Sequence, residues 1–133
     1  MRAIDTRGFI CEAGRWMVAG PNNHAYRVYE HRLPWPEARE ACRKQGAYLT
    51  AIGDAAEHKL VAQMSARDFW IGASSIQRRG PFVWANGQPF GFRHFAPGEP
   101  DAPHVPACVL IGADEVWHDR GCIDPEAYVC EGE

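Results

Sequence analysis

The chain has 133 residues, 46% hydrophobic and 23% charged, with a net charge of -3 and a pI of about 6.1. That length gives one domain with room for a single core. Arg78-Arg79 is only a pair and not a basic stripe, so nothing favours a nucleic-acid partner, and no apolar run reaches the length of a membrane span.

Ten prolines and thirteen glycines imply many turns and long loops rather than a helical bundle. Met1 to Ile10 lacks the apolar core of a signal peptide, so the expectation is that any secretion signal has been trimmed or replaced. Residues 1–24 read as an N-terminal extension, with a short hairpin around Trp16–Val18 and a turn at Gly20-Pro21-Asn22-Asn23. The main domain then runs over 25–133. His24–Glu30 alternates and is rich in Tyr and Val, which predicts a strand. A helix follows with Pro36 as its first residue, Glu37 and Glu40 near its positive end and Arg43-Lys44 near its negative end. Gly46 is its left-handed stop, and Trp35, Ala38, Ala41 and Cys42 share its inner face.

A strand over Ala47–Ile52 leads to a second helix from Asp54 to about Met64. Asp54 and Glu57 resemble a capping box there, and Leu60, Val61 and Met64 make the buried stripe. Both helices read as packing elements that carry no chemistry. Phe69–Gly72 and Phe82–Trp84 are short apolar strands, the second followed by a turn at Ala85-Asn86-Gly87. Residues 85–107 form a long segment with five prolines, the length of a functional loop, and Phe90, Phe92 and Phe95 are placed to anchor it. Short strands at Cys108–Ile111, Val116–His118 and Ala127–Cys130 close the chain.

The five cysteines, Cys11, Cys42, Cys108, Cys122 and Cys130, show no zinc-ligand spacing. Four of them allow two bridges in three connectivities, which points to an oxidising compartment; the alternative is a set of reduced, buried thiols. The stretch from Phe95 to Cys122 gathers the acids: Glu99-Pro100-Asp101 in the loop and Asp119 after Trp117-His118. Carboxylates converging from separate segments suit calcium, a cation with six to eight oxygen ligands. A cis Glu99–Pro100 bond would turn both acids toward one ion. Zinc on His104, His118, Glu99 and Asp119 is a minority alternative. His118-Asp119 as an acid/base pair and Cys11 with His24 as nucleophile and base have adjacency but no required geometry, so the chain does not read as an enzyme.

From about Tyr26 to Glu131 the chain resembles a C-type lectin-like domain. The matching residues occur in order: Trp35, Ala38, Cys42, Gly46-Ala47 and Leu49; Glu57 and Val61; Phe69-Trp70-Ile71-Gly72; Phe82-Val83-Trp84, Asn86-Gly87 and Pro89; Gly98-Glu99-Pro100; Cys108; Trp117-His118-Asp119; Cys122; and Tyr128-Val129-Cys130-Glu131. The resemblance implies an α+β fold, two helices flanking small antiparallel sheets with a long ligand-binding loop. It implies bridges Cys42–Cys130 and Cys108–Cys122. Longer members pair an N-terminal cysteine with one whose place here is taken by Ala25, so Cys11 is left as a free thiol or a link to a second chain in a dimer.

By the same resemblance, Glu99, Asp101, His118 and Asp119 are the candidate metal residues, and Glu99, Asp101, His104 and His118 the candidate carbohydrate residues. The site departs from the family's pattern at three places. Pro106 stands where a ligating glutamate is usual, His118 replaces an asparagine, and Glu-Pro-Asp matches neither the mannose-type nor the galactose-type motif. Carboxylates only accept, so an amide donor to sugar hydroxyls is missing, with His118 and His104 the nearest replacements. A second calcium site between Gly72 and Gly80 has no carboxylate. The expectation is an extracellular or secreted recognition module with a glycan or protein ligand, using weakly held calcium for carbohydrate or, alternatively, binding protein without calcium.

Overall fold

The computed structural model describes residues 17–19, 24–76, 82–100 and 106–133. Chain order is β1 (Met17–Ala19), β2 (His24–Leu33), α1 (Trp35–Arg43), β3 (Tyr48–Leu49), α2 (Ala55–Ala62), β4 (Phe69–Ser74), β5 (Val83–Trp84), β6 (Ala107–Ile111), β7 (Trp117–Gly121) and β8 (Glu126–Gly132). The strands join in one mixed sheet in the order β1-β2-β8-β4-β6-β7, with β3 on β8 and β5 on β4. Among the described strands all pairings are antiparallel except β4 with β8, where Phe69 and Trp70 face Ala127 and Tyr128, and outside them Phe95 makes an isolated parallel bridge with Trp117. The fold is α+β, as the resemblance implies, but the small antiparallel sheets join into one mixed sheet that is continuous through β8. Trp16, the turn at 20–23, Cys11, Asp101 and His104 lie outside the described residues.

The helices differ from expectation in detail. α1 starts at Trp35 with Pro34 as cap, one residue early; Pro36 still falls in the first turn, where a missing N–H leaves no helical bond unmade. Gly46 sits at φ +75, donating to the Arg43 carbonyl at 2.9 Å. In α2 the Asp54 side chain accepts from Glu57 N–H at 2.8 Å, but Glu57 reaches back to Gly53 N–H at 3.0 Å rather than to Asp54. The buried face of α2 is Glu57, His58, Val61 and Ala62, while Leu60 and Met64 are only half-buried. The apolar stripe therefore covers part of that face, and two polar residues share it.

Glu57 and, on β8, Glu131 are buried carboxylates with hydrogen-bond partners. Glu57 accepts from the Tyr26 hydroxyl at 2.7 Å. Glu131, buried at the end of β8, accepts from the Thr50 hydroxyl at 2.9 Å and Ala51 N–H at 3.0 Å, and meets His24 Nδ1 at 2.5 Å. Burial, with the Glu57 carboxylate nearby, pushes the Glu131 carboxyl up despite these partners. Gly72 is a forced choice: a Cβ there would lie 2.5 Å from the Leu49 carbonyl oxygen, because Gly72 N–H donates to Thr50 O at 2.9 Å.

Cys42 is bonded to Cys130 and Cys108 to Cys122, closing separations of 88 and 14 residues. The first ties α1 to β8. The second closes the β6–β7 hairpin below the site, where the Cys122 carbonyl also accepts from Trp35 N–H at 2.9 Å.

Candidate functional site

Two segments build the site: the end of the long loop and strand β7. Gly87 at φ +87 and the Asn86 side chain, which accepts from Gln88 N–H at 3.0 Å, turn the chain out of β5. Phe90 then packs on Trp84 with centroids 5.2 Å apart, and Phe92 and Phe95 edge onto Trp117 at 5.9 and 5.6 Å. Aromatic edge-to-face pairs of this kind each contribute about 0.5–1.5 kcal/mol beyond burial. They hold the loop against the core. Main-chain bonds add register, Trp117 N–H to His94 O at 2.9 Å and Ala96 N–H to Trp117 O at 3.0 Å. Pro97-Gly98 makes a turn of type II character, with Gly98 at φ +84 and Glu99 N–H on the Ala96 carbonyl at 3.0 Å. The Glu99–Pro100 peptide is cis.

Glu99 thereby lands on β7. Its Oε2 lies 2.6 Å from His118 Nδ1, its Oε1 accepts from Asp119 N–H at 2.9 Å, and Arg120 stands 3.8 Å from Oε1. His118 Nε2 faces the Asp114 carboxylate at 3.0 Å. With an acceptor-only carboxylate facing each nitrogen, both partners favour the doubly protonated, charged imidazole, which alone can donate from both. Partial burial opposes that charge, but the bonds to Glu99 and Asp114 outweigh it and raise the His118 pKa. Burial likewise acts against ionised Asp114, and Val116 N–H with His118 overcome it to lower its pKa. Gly112 leaves room for this pair, since a Cβ there would meet Asp114 Oδ1 at 2.5 Å and His118 Nε2 at 3.1 Å.

Three of the sequence-predicted residues, Glu99, His118 and Asp119, come together; Asp101 and His104 fall outside the described residues. Asp119 is buried beside Glu99. Asp114 and Arg120 were not read from sequence. Asp114 had one available signal, its position four residues before His118 across the tight β6–β7 turn.

Among the described residues, the donor set does not fit calcium as arranged. Both Glu99 oxygens are engaged, His118 offers ring nitrogen instead of an amide oxygen, and Pro106 has no side-chain oxygen. Freeing Glu99 breaks two hydrogen bonds to a charged acceptor, each contributing about 1.5–3 kcal/mol. That weakens a metal's dissociation constant by about two to four decades. Among the described residues no cluster of three or more His, Cys, Asp or Glu is arranged to hold a metal, and no helix is long and apolar enough to cross a membrane.

Comparison with known proteins places the geometry in a family. The profile described as "Lectin C-type domain" matches residues 31–132. The chain is 28% identical over 130 residues to Homo sapiens C-type lectin domain family 17, member A, covering 96% of this chain and 34% of that protein. It is 33% identical over 100 residues to the Mus musculus low affinity immunoglobulin epsilon Fc receptor, covering 73% of this chain and 30% of the receptor. The chain thus spans about a third of the length of these relatives. Among solved structures, the cow C-type carbohydrate-recognition domain of CD23, determined in the presence of a GlcNAc2Man3 oligosaccharide, superposes with TM-score 0.81 at 25% identity, covering 92% of this chain and 95% of that one. A calcium-independent type II antifreeze protein superposes with TM-score 0.80 at 25% identity, covering 96% and 97%. The chain belongs to the C-type lectin domain family, a family of non-enzymatic binding proteins.

Proposed function

We propose that this chain is an extracellular recognition domain whose long-loop site binds a protein ligand without calcium. One observation carries the reading: both Glu99 carboxylate oxygens are already engaged inside the chain, Oε2 by His118 Nδ1 at 2.6 Å and Oε1 by Asp119 N–H at 2.9 Å. The place that a calcium ion would take beside Glu99 is held by the His118 ring, whose raised pKa favours its charged form. A fold without calcium has precedent in the calcium-independent antifreeze protein that the chain resembles. Sugar hydroxyls need a donor and an acceptor side by side, and Glu99 with Asp101 offers acceptors alone.

Two disulfides support an oxidising, extracellular setting. In this reading residues 25–133 are the recognition domain and 1–24 an extension, tethered where Met17–Ala19 pairs with His24–Tyr26. The bridges use four of the five cysteines in the sequence; of the two fates open to Cys11, a free thiol or a link between two chains, the link is the one proposed.

A glycan array probed in calcium and again in chelator tests the reading. The expected result is no calcium-dependent spot. A glycan bound only with calcium, and lost in Glu99→Ala, restores the carbohydrate-binding alternative.

A further inference from the structure

His58 sits on the buried face of α2, only 7% exposed, and belongs to neither the candidate site nor the apolar core. Its two ring nitrogens have complementary partners. The Trp117 indole N–H, which can only donate, meets Nδ1 at 3.0 Å; the Glu115 carbonyl, which can only accept, meets Nε2 at 3.1 Å. Both bonds exist together in one form alone, the neutral imidazole with its proton on Nε2. A second proton would set two N–H groups against each other.

Every element packed around the ring bears on that proton. From the long loop, the His94 ring lies 4.0 Å away between centroids, tilted by 35°, and neutral Phe92 lies at 6.4 Å. From the β6–β7 turn comes Glu115, the nearby carboxylate, whose charge favours a protonated His58. From β7 comes Trp117, which has no charge. Burial first, then His94, disfavour the charged ring, and they prevail over the Glu115 carbonyl and carboxylate to lower the His58 pKa. Glu115 itself is held at φ 68, a left-handed conformation uncommon for a residue with a Cβ, with His58 on its carbonyl.

We propose that His58 is an acid-sensitive latch on the recognition loop. Neutral, it fixes the Trp117 indole and the Glu115 turn. Protonated, it loses the indole bond and places a charge 4.0 Å from the His94 ring, between centroids. Because Trp117 carries the main-chain bonds to His94 and Ala96, and leads directly into His118 and Asp119, its release loosens the stretch that delivers Glu99. The sign is fixed by the lowered pKa: the latch is fully closed above the unfolded-state value of 6.5 and opens only as pH falls through the lower folded-state value. The device is a property of the ligand-free chain, so its failure and that of the calcium-independent reading are separate.

The test is an NMR titration of the unliganded chain from about pH 7.5 to about pH 5, the range in which histidine switches. It follows the His58 ring, the Trp117 indole proton, and the exchange of the Ala96 and Trp117 amides relative to their intrinsic rates. Wild type is expected to show a His58 pKa below 6.5, a moving indole resonance on the same titration, and amide opening raised about tenfold at the acid end. His58→Gln keeps an oxygen for the indole and an N–H for the Glu115 carbonyl without titrating, so its indole and amides should be insensitive to pH. A wild-type His58 pKa at or above 6.5, an indole that does not follow it, or an equal acid response in His58→Gln overturns the latch. The wild-type titration decides even if the variant does not fold.

Discussion

Removing the smaller disulfide gives a quantitative test of how the site hairpin is held. Cys108 and Cys122 are 14 residues apart and close β6 on β7, the strand that carries His118 and Asp119. Loop-closure entropy for that separation predicts a loss of about 3 kcal/mol when both become alanine, against about 4.6 kcal/mol for the Cys42–Cys130 pair. Unfolding entropy of about 2.1 cal/mol/K per residue gives roughly 0.28 kcal/mol/K for this chain. The Cys108→Ala/Cys122→Ala variant should therefore melt about 11 °C below wild type, and Cys42→Ala/Cys130→Ala about 16 °C below. Both cysteines of the smaller pair are buried, so lost packing deepens the fall. Scanning calorimetry on the oxidised proteins reads both numbers. A fall of less than about 4 °C, or a larger fall for the short loop than for the long one, refutes the loop-closure reasoning.

Gly72→Ala pushes a methyl to 2.5 Å from the Leu49 carbonyl oxygen, a backbone atom that yields only by moving β3, so denaturant unfolding should show a loss of about 1–3 kcal/mol. The raised pKa of His118 makes its contribution to stability complete below the unfolded value of 6.5 and lost as pH rises through the folded value; His118→Gln should remove that segment of the stability profile, and an unchanged profile contradicts the ion pair. Non-reducing electrophoresis should show a dimer that Cys11→Ser converts to monomer, and a wild-type monomer under oxidising conditions rejects the interchain link.

Much of the fold was legible because its signals are local or strongly typed. Asp54 announces α2, Gly46 ends α1, and Asn86-Gly87 turns the chain after β5. The ordered tryptophans and cysteines then carry the resemblance to the family. What stayed hidden depends on register and on polar residues facing inward. The sheet's continuity through β8 rests on the parallel contact of Phe69 and Trp70 with Ala127 and Tyr128, which no local pattern encodes. The helical stripe of α2 was counted in apolar residues, so His58 and Glu57 escaped it although both are buried with fixed partners.

The candidate site divides in the same way. Glu99, His118 and Asp119 were readable from their spacing and the family's pattern. The direct bond between Glu99 and His118 was not, because it depends on the Pro97-Gly98 turn swinging the carboxylate onto β7. Asp114 joins them because the turn before β7 folds it back over the ring.

Titration calorimetry of the oxidised chain with calcium at millimolar, extracellular-like concentration, paired with melting curves in calcium and in chelator, tests the central claim most directly. With Glu99 held by His118 and Asp119 N–H, no binding heat and superimposable melting curves are expected. Saturable calcium binding that raises the melting temperature, abolished by Asp119→Ala, would contradict it; occupancy at a hundredfold excess over the dissociation constant would add about 2.7 kcal/mol.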